Sequence, residues 1–396
     1  MQNQVSFTIN SSDAFATTKE YNTPRAPYQL LSGDGALRSV VIDPETKKIL
    51  CVAPPKSLTE DEFTKQGQPT VSPCDPLPLP GTYGAGGSQG GQPSPCFANE
   101  IIEGTMVNLF YDPRIAQWEI ATKGAVGGDY WYFRTSYDGV SPQTTFRDMF
   151  LDALASPRDT ELNNVPLIAS LDETISYSFV LQHPMNHIVL PVEVPRLFLV
   201  AMYRVLADNT TVRTVPIWVM RDGACPDNHL ISYPVEYEVA SLDDMPSAVG
   251  VMFHDKATGF RLSKKNAEYE RKRDIRGNHP NIQFQYLELN AENNVPLFLH
   301  EFPQYTPLFS WFYHQTQDYI TQLHSAYIAY FIHKRGKEIQ IPKLIFVQIH
   351  NLHKNIYRAN GGKKLVNRRA IEEYVAGMTV SEQLFHTNGG GNLRSQ

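Results

Sequence analysis

The stretch NEIIEGTMVNLFYD, residues 99 to 112, sets an acid–glycine pair, Glu103–Gly104, ahead of a small hydroxyl residue and an apolar run. Cations stand beside strand-like runs elsewhere: Arg38 in LRSVVID, Lys56 in PPKSLTEDEF, Lys123 in IATKG, and Lys264 and Lys265 in FRLSKK. Together these residue types suit the handling of a phosphorylated ligand. Cations stabilise a triphosphate as pyrophosphate departs. A carboxylate can hold a ribose or a metal-bound water, and a glycine lets the backbone approach a nucleotide closely. A covalent route also needs a lysine amine to attack the α-phosphate.

In this order the motifs resemble those of the phage T4-type RNA ligases, a covalent nucleotidyltransferase family, and their ligase-like relatives in large DNA viruses. The resemblance covers most of residues 37 to 289 as a chain of short motifs. Arg38 resembles the family arginine near the triphosphate, and Lys56 the lysine just upstream of the nucleophile motif. Glu103 and Gly104 match the acid and glycine that end that motif, and Lys123 is similar to the next lysine–glycine pair. YSFVLQHPMNHIV resembles a Phe-Glu strand and the Asn-Arg-Ile-Val after it. VGVMF sits where a Glu-Gly strand belongs, and Lys264 and Lys265 fall at a closing pair of lysines. The resemblance implies an α+β fold with a nucleotidyltransferase (ATP-grasp-like ligase) domain of mainly antiparallel sheets. It also implies ATP and Mg2+ as cofactors and RNA ends as substrate, with Arg38, Lys56, Glu103, Gly104, Lys123, Lys264 and Lys265 around the nucleotide.

The departures cut against ordinary chemistry. Ile101 stands at the nucleophile position, Ser178 replaces the glutamate of the Phe-Glu strand, Val249 replaces the acid of the Glu-Gly strand, and His187 replaces an arginine. Isoleucine has no lone pair, so the lysine adenylate at this position is lost and Lys123 is the remaining candidate acceptor. The nucleophile and two carboxylates are gone while the cations persist, which suits a pocket that holds phosphates. A catalytically inactive nucleotide- or RNA-binding protein and a structural or interaction protein are the alternatives. Each residue also has a plainer role: Arg38 and Lys56 as solvated charges flanking a hairpin, Lys123 as a turn residue, and Lys264 and Lys265 as the start of a solvated charge run.

The elements that must position these residues are strands first and helices later. LRSVVIDPETKKILCVAPP has two β-branched runs joined by a turn, a hairpin signal. GTMVNLFYD, QWEIATKG, YWYFR, YSFVLQ, HIVLPV and RLFLVAMYRVL continue the strand pattern, and VGVMFHD with GFRLSKK forms another hairpin. Residues 67 to 95 are Gly/Pro-rich and are expected to be a mobile loop. After Pro296 the texture changes: Ile320, Leu323, Tyr327, Ile328 and Phe331 recur at helical spacing, as do Ile345, Ile349, Leu352 and Ile356 before paired glycines. The expected organisation is a ligase-like domain over 1–295, a helical domain over 296–387 and a tail over 388–396.

A net charge of -6 argues against a uniformly basic nucleic-acid coat but leaves room for a local one. The helical part carries Lys334, Arg335, Lys337, Lys354, Arg358, Lys363 and Lys364, with Glu338 the one acid between Lys334 and Arg369. These residues are the candidate RNA contacts. Tyr327, Tyr330 and Tyr357 offer either stacking faces or a core. No apolar run is long enough to cross a membrane, and the start does not read as a signal peptide, so a cytoplasmic location is expected, the host cytoplasm if the protein is viral. The cysteines are expected reduced, with Cys74 and Cys96 the one pair that a disulfide could join. No HExxH or cysteine-rich spacing calls for zinc, and no metal ligands are assigned.

Overall fold

The computed structural model describes residues 6–8, 17–32, 38–59, 96–131, 144–221, 228–237, 247–255, 261–336, 338 and 340–388. The Cys74–Cys96 pairing, Lys337 and the 67–95 loop lie outside the described residues or depend on them. The chain is α+β, with antiparallel sheets and several helices, and no helix is long and apolar enough to cross a membrane among the described residues. It divides into two compact units between Asp274 and Ile275, ahead of the Pro296 boundary read from the sequence.

In the first unit the largest sheet has strands in the order β1 (Ser6–Thr8), β11 (Thr211–Val215), β10 (Arg196–Val205), β9 (Ile175–Gln182), β7 (Thr105–Asp112) and β8 (Gln117–Ala121); β12 (Ile231–Ser232) pairs with β10. All of its pairings are antiparallel except β10 with β12. A second sheet runs β2 (Thr17–Asn22), β3 (Pro27–Ser32), β4 (Ser39–Ile42) and β5 (Ile49–Val52). A third has the order β13 (Glu236–Tyr237), β6 (Cys96–Glu100), β14 (Gly250–Asp255) and β15 (Arg261–Lys265).

The hairpin expected in LRSVVIDPETKKILCVAPP is β4–β5. Its continuous apolar runs mean burial on both faces. One side packs on Phe110 and Ala121, the other on Tyr203 and Val212, so the large sheet wraps around this hairpin. The sheet's far face buries Leu109, Ile120, Phe179 and Leu199 against α1 (Phe146–Ala153). Thr145 and Asp148 close a reciprocal capping box at the start of α1, which satisfies two otherwise orphaned amides.

HIVLPV is not a strand, and the described start of YWYFR is not in one either. Tyr130 and Trp131, the described start of YWYFR, carry no ladder; Tyr130 packs on Phe146 and accepts that residue's N–H. In HIVLPV the amides of Ile188, Val189 and Leu190 bond to the Glu103 carboxylate instead of a neighbouring strand.

Among the described residues, every regular element of the second unit is helical, with α3 (Ile282–Ala291), α4 (Val295–Glu301), α5 (Thr306–Tyr327), α6 (Lys343–Leu352), α7 (Arg368–Ala376) and α8 (Val380–Thr387) following α2 (Ala267–Arg276), which spans the division. Here α5 continues as a π-helix over Ile328–Ile332 and α6 as another over His353–Arg358. The second ends at Gly361 and Gly362, whose φ of 60° and 79° other residues rarely adopt. The core is Ile320, Leu323, Tyr327, Ile345, Ile349, Leu352, Ile371 and Val375; of the helical stripe read from the sequence, Phe331 and Ile356 pack against this core half-buried and Ile328 is not part of it.

Glu119 ties the large sheet to α1. Its side chain is fully buried, with Arg147 Nη1 at 2.6 Å and Arg25 Nη1 at 3.1 Å. Breaking a buried pair leaves an uncompensated charge, at a cost of about 3–5 kcal/mol. Glu119→Gln should therefore lower unfolding stability by an amount in that range, read as a fall in denaturant midpoint at unchanged slope. A loss within 0.5 kcal/mol (about the surface-substitution range) would show that the pair contributes little.

Candidate functional site

Ile101 follows β6, and its N–H donates to the Gly250 carbonyl at 2.9 Å. The motif's acid then turns inward. Glu103 Oε1 accepts from Ile188 N at 2.9 Å and Val189 N at 2.8 Å, while Oε2 accepts from Leu190 N at 3.1 Å. Tyr269 of α2 lies against the same carboxylate, and burial first, then Glu103, pushes its phenol pKa up. Gly104 is required sterically, because a Cβ there would lie 2.4 Å from the Leu181 carbonyl oxygen. The acid–glycine pair thus locks the 188–190 turn to the β6–β7 junction.

The two positions at which the ligase resemblance leads one to expect carboxylates are sealed. Ser178 is fully buried and its hydroxyl bonds Asn108 Oδ1 at 2.8 Å; Val249 is buried as well. A glutamate at Ser178 would place an anion under the β4–β5 hairpin without water.

The sequence-expected cations fall into three places. Arg38, at the start of β4, lies near Arg261, which opens β15. The Arg261 Nη2 donates to the Pro55 carbonyl, and its Nε is buried without a hydrogen-bond partner. Burial pulls the Arg261 pKa down, the Tyr203 phenol opposes this, and Arg38 pulls it down further. Lys56 belongs to the same neighbourhood, because the segment is stitched to β15 by Leu58 N to Arg261 O at 2.7 Å and Ser263 N to Leu58 O at 3.2 Å. Neither Arg38 nor Arg261 has a carboxylate partner among the described residues.

Lys264 and Lys265 occupy the far end of β15, four residues or about 13 Å along the strand from Arg261 in the case of Lys265. Adjacent strand residues point to opposite faces, so the two cannot share one pocket. Lys265 has the face of Arg261 and pairs with Glu270 at 3.5 Å, whereas Lys264 has the face of Leu262. Lys123 is exposed in the turn closed by Thr122 N to Ala125 O, after edge strand β8. Tyr203, beside Arg261, is on β10, three strands away and therefore separated by about 14 Å of sheet. The segments that carry Arg38, Lys56 and Arg261 come together; those of Lys123 and Lys265 do not join them.

Sequence reading missed Arg261, Tyr203 and His254. His254 stands directly opposite Arg261 in the β14–β15 ladder. Burial, then Arg261, pushes its pKa down to about 3, and Nε2 bonds Asn99 Oδ1 at 3.1 Å. The imidazole is neutral at pH 7, with the Nε2 proton assigned by that acceptor.

In the second unit Lys334, Arg335, Lys354, Arg358, Lys363 and Lys364 are all exposed, and Lys364 reaches Glu373 at 3.6 Å. The tyrosines divide. Tyr327 is core, its hydroxyl on His353 Nδ1 at 3.1 Å, and Tyr330 is half-buried over Gly336. Tyr357 remains 37% exposed. Among the described residues no three metal-type donors converge.

No family model matches the chain, and no curated protein matches it.

Two outcomes follow from this geometry. Each amide bond to a charged acceptor contributes about 1.5–3 kcal/mol, so Glu103→Gln should destabilise the first unit by at least about 3 kcal/mol in denaturant melts; an unchanged midpoint would remove the turn-locking role. His254 has a folded pKa below its ordinary 6.5, so the folded state takes up fewer protons. Its stabilisation is complete above pH 6.5 and is lost as pH falls toward 3, by at most about 1.4 kcal/mol per pH unit. Between pH 6.5 and 4.5, above most carboxylate titration, His254→Gln should flatten the fall in stability, and equal slopes for both proteins would contradict the assignment.

Proposed function

We propose that this chain is a nucleotide- and RNA-binding protein on a nucleotidyltransferase-like β-rich scaffold, one that holds a phosphate-bearing ligand without passing through a lysine adenylate. The Arg38–Arg261 pair carries the reading. A buried guanidinium whose Nε lacks a hydrogen-bond partner, with the like charge of Arg38 beside it and no carboxylate paired to either among the described residues, forms an arrangement that a bound anion relieves. The arginine fork matches phosphate oxygens, and Lys56 adds charge from the adjoining segment.

Binding rather than transfer is favoured by three positions. Ile101 offers no amine, the Glu103 oxygens are bonded to amides, and Ser178 is sealed against Asn108. Lys123, the remaining candidate acceptor, stands apart from the arginine pair, so its use as an acceptor would require a different phosphate seat. ATP and RNA ends are the ligand class by resemblance. Among the described residues no protein-held magnesium site is found, since Glu103, the carboxylate the resemblance offers, is engaged by amides, and the proposal assigns the ion no ligand. RNA would meet the exposed cations of the helical unit.

With labelled ATP and magnesium, denaturing electrophoresis should leave no labelled protein band. Calorimetry should show ATP binding that Arg38→Gln weakens about tenfold or more, the loss of one charge-assisted phosphate contact. A covalent band would return the protein to the transferases. ATP binding indifferent to Arg38→Gln would remove the arginine pair from the site.

A further inference from the structure

The exposed side of α6 and its π-helical extension carries a pattern that the basic stripe alone did not reveal. Lys343, Phe346, His350 and Lys354 follow at steps of three or four residues, all exposed, so they form one line along the helix, and Tyr357 is exposed in the π-helical turn beyond it. From Phe346 to Lys354 this line spans about 12 Å. Its rings are held in place from beneath. His353 lies between Phe331, stacked at 4.0 Å, and Tyr357, stacked at 5.0 Å, while the Phe346 ring touches both His350 at 4.5 Å and Tyr330 at 5.4 Å. Arg358 adds a further exposed cation beside Tyr357.

We infer that this line and the turn beyond it form a binding surface for single-stranded RNA, with bases stacking on Phe346, His350 and Tyr357 and phosphates meeting Lys343, Lys354 and Arg358. The inference rests on the RNA-binding part of the proposed function and names its site and the form of the nucleic acid. Charge decides the occupant. No acidic residue occurs between Glu338 and Glu372, so the surface favours a polyanion although the whole chain is acidic. Exposed planar rings alternating with cations suit a polyanion that also presents unpaired flat faces, which a duplex keeps stacked inside itself. An acidic protein surface would satisfy the cations but would leave the rings without matching partners.

The test is fluorescence anisotropy of the full chain with a labelled oligouridylate, alone and annealed to its complement. The expected result is preference for the single strand. Phe346→Ala and Tyr357→Ala should each weaken single-strand binding about tenfold at unchanged salt slope. Lys354→Gln and Arg358→Gln should each reduce the log–log salt slope by about one unit. Tyr357→Phe keeps the ring and should bind as the unaltered protein does, which separates stacking from a hydroxyl or folding effect. Ring variants that bind the single strand normally would overturn the inference, as would ring variants that weaken single-strand and duplex binding equally. Absence of RNA binding together with self-association abolished by Phe346→Ala would overturn it in favour of a contact between copies. ATP binding with no RNA binding would overturn this inference and leave the arginine-pair reading standing. RNA binding through the rings without ATP binding would do the reverse.

Discussion

Three backbone amides converging on the Glu103 carboxylate hold the β-rich unit's central junction together. The 188–190 segment follows β9 and has no strand to pair with, so its N–H groups require another acceptor. Glu103 supplies both oxygens, Gly104 permits the close pass against Leu181, and Tyr269 closes the assembly from α2. A carboxylate engaged in this way has little capacity left for a ribose or a metal-bound water. The same acid that marks the motif in the sequence therefore serves the fold.

Removing that acid from chemistry changes what the nearby positive charge can accomplish. Cations spread over a strand edge attract phosphate, but transfer requires a nucleophile and leaving-group stabilisation within a few ångströms. Among the described residues the cations separate along β15 and across the large sheet, and the segments of Arg38, Lys56 and Arg261 share a neighbourhood. The neutral His254 beside Arg261 adds no further positive charge there. Sheet geometry, through strand spacing and the alternation of faces, sets this division.

Much of the scaffold was legible because its signals are local. The β4–β5 and β14–β15 hairpins announced themselves by β-branched runs around turns, and the buried stripe of α5 and α6 by its spacing. The α1 helix escaped notice although Thr145 and Asp148 form a capping box, a signal that needs no tertiary knowledge. HIVLPV misled for the opposite reason: its β-branched composition is genuine, but a side chain 85 residues earlier in the chain took its amides. Lys264 and Lys265 looked like a pair in one dimension and are separated by the pleat. Arg261 was invisible, since nothing local distinguishes an arginine facing another arginine from one facing water.

The two π-helical stretches in the helical unit have an evolutionary and engineering consequence. A turn closed from residue i to i+5 holds one residue more than the α-helical form would. Deleting a single residue within 353–358 would let the helix revert to its ordinary winding without shortening it by a full turn. Because the wider turn already absorbs that residue, side chains beyond the deletion would keep their direction about the axis. The His353–Tyr357 stack, made inside the turn, would be disturbed, while the glycine stop would be reached in phase. The surface presented within the turn itself therefore depends on chain length there as much as on residue identity.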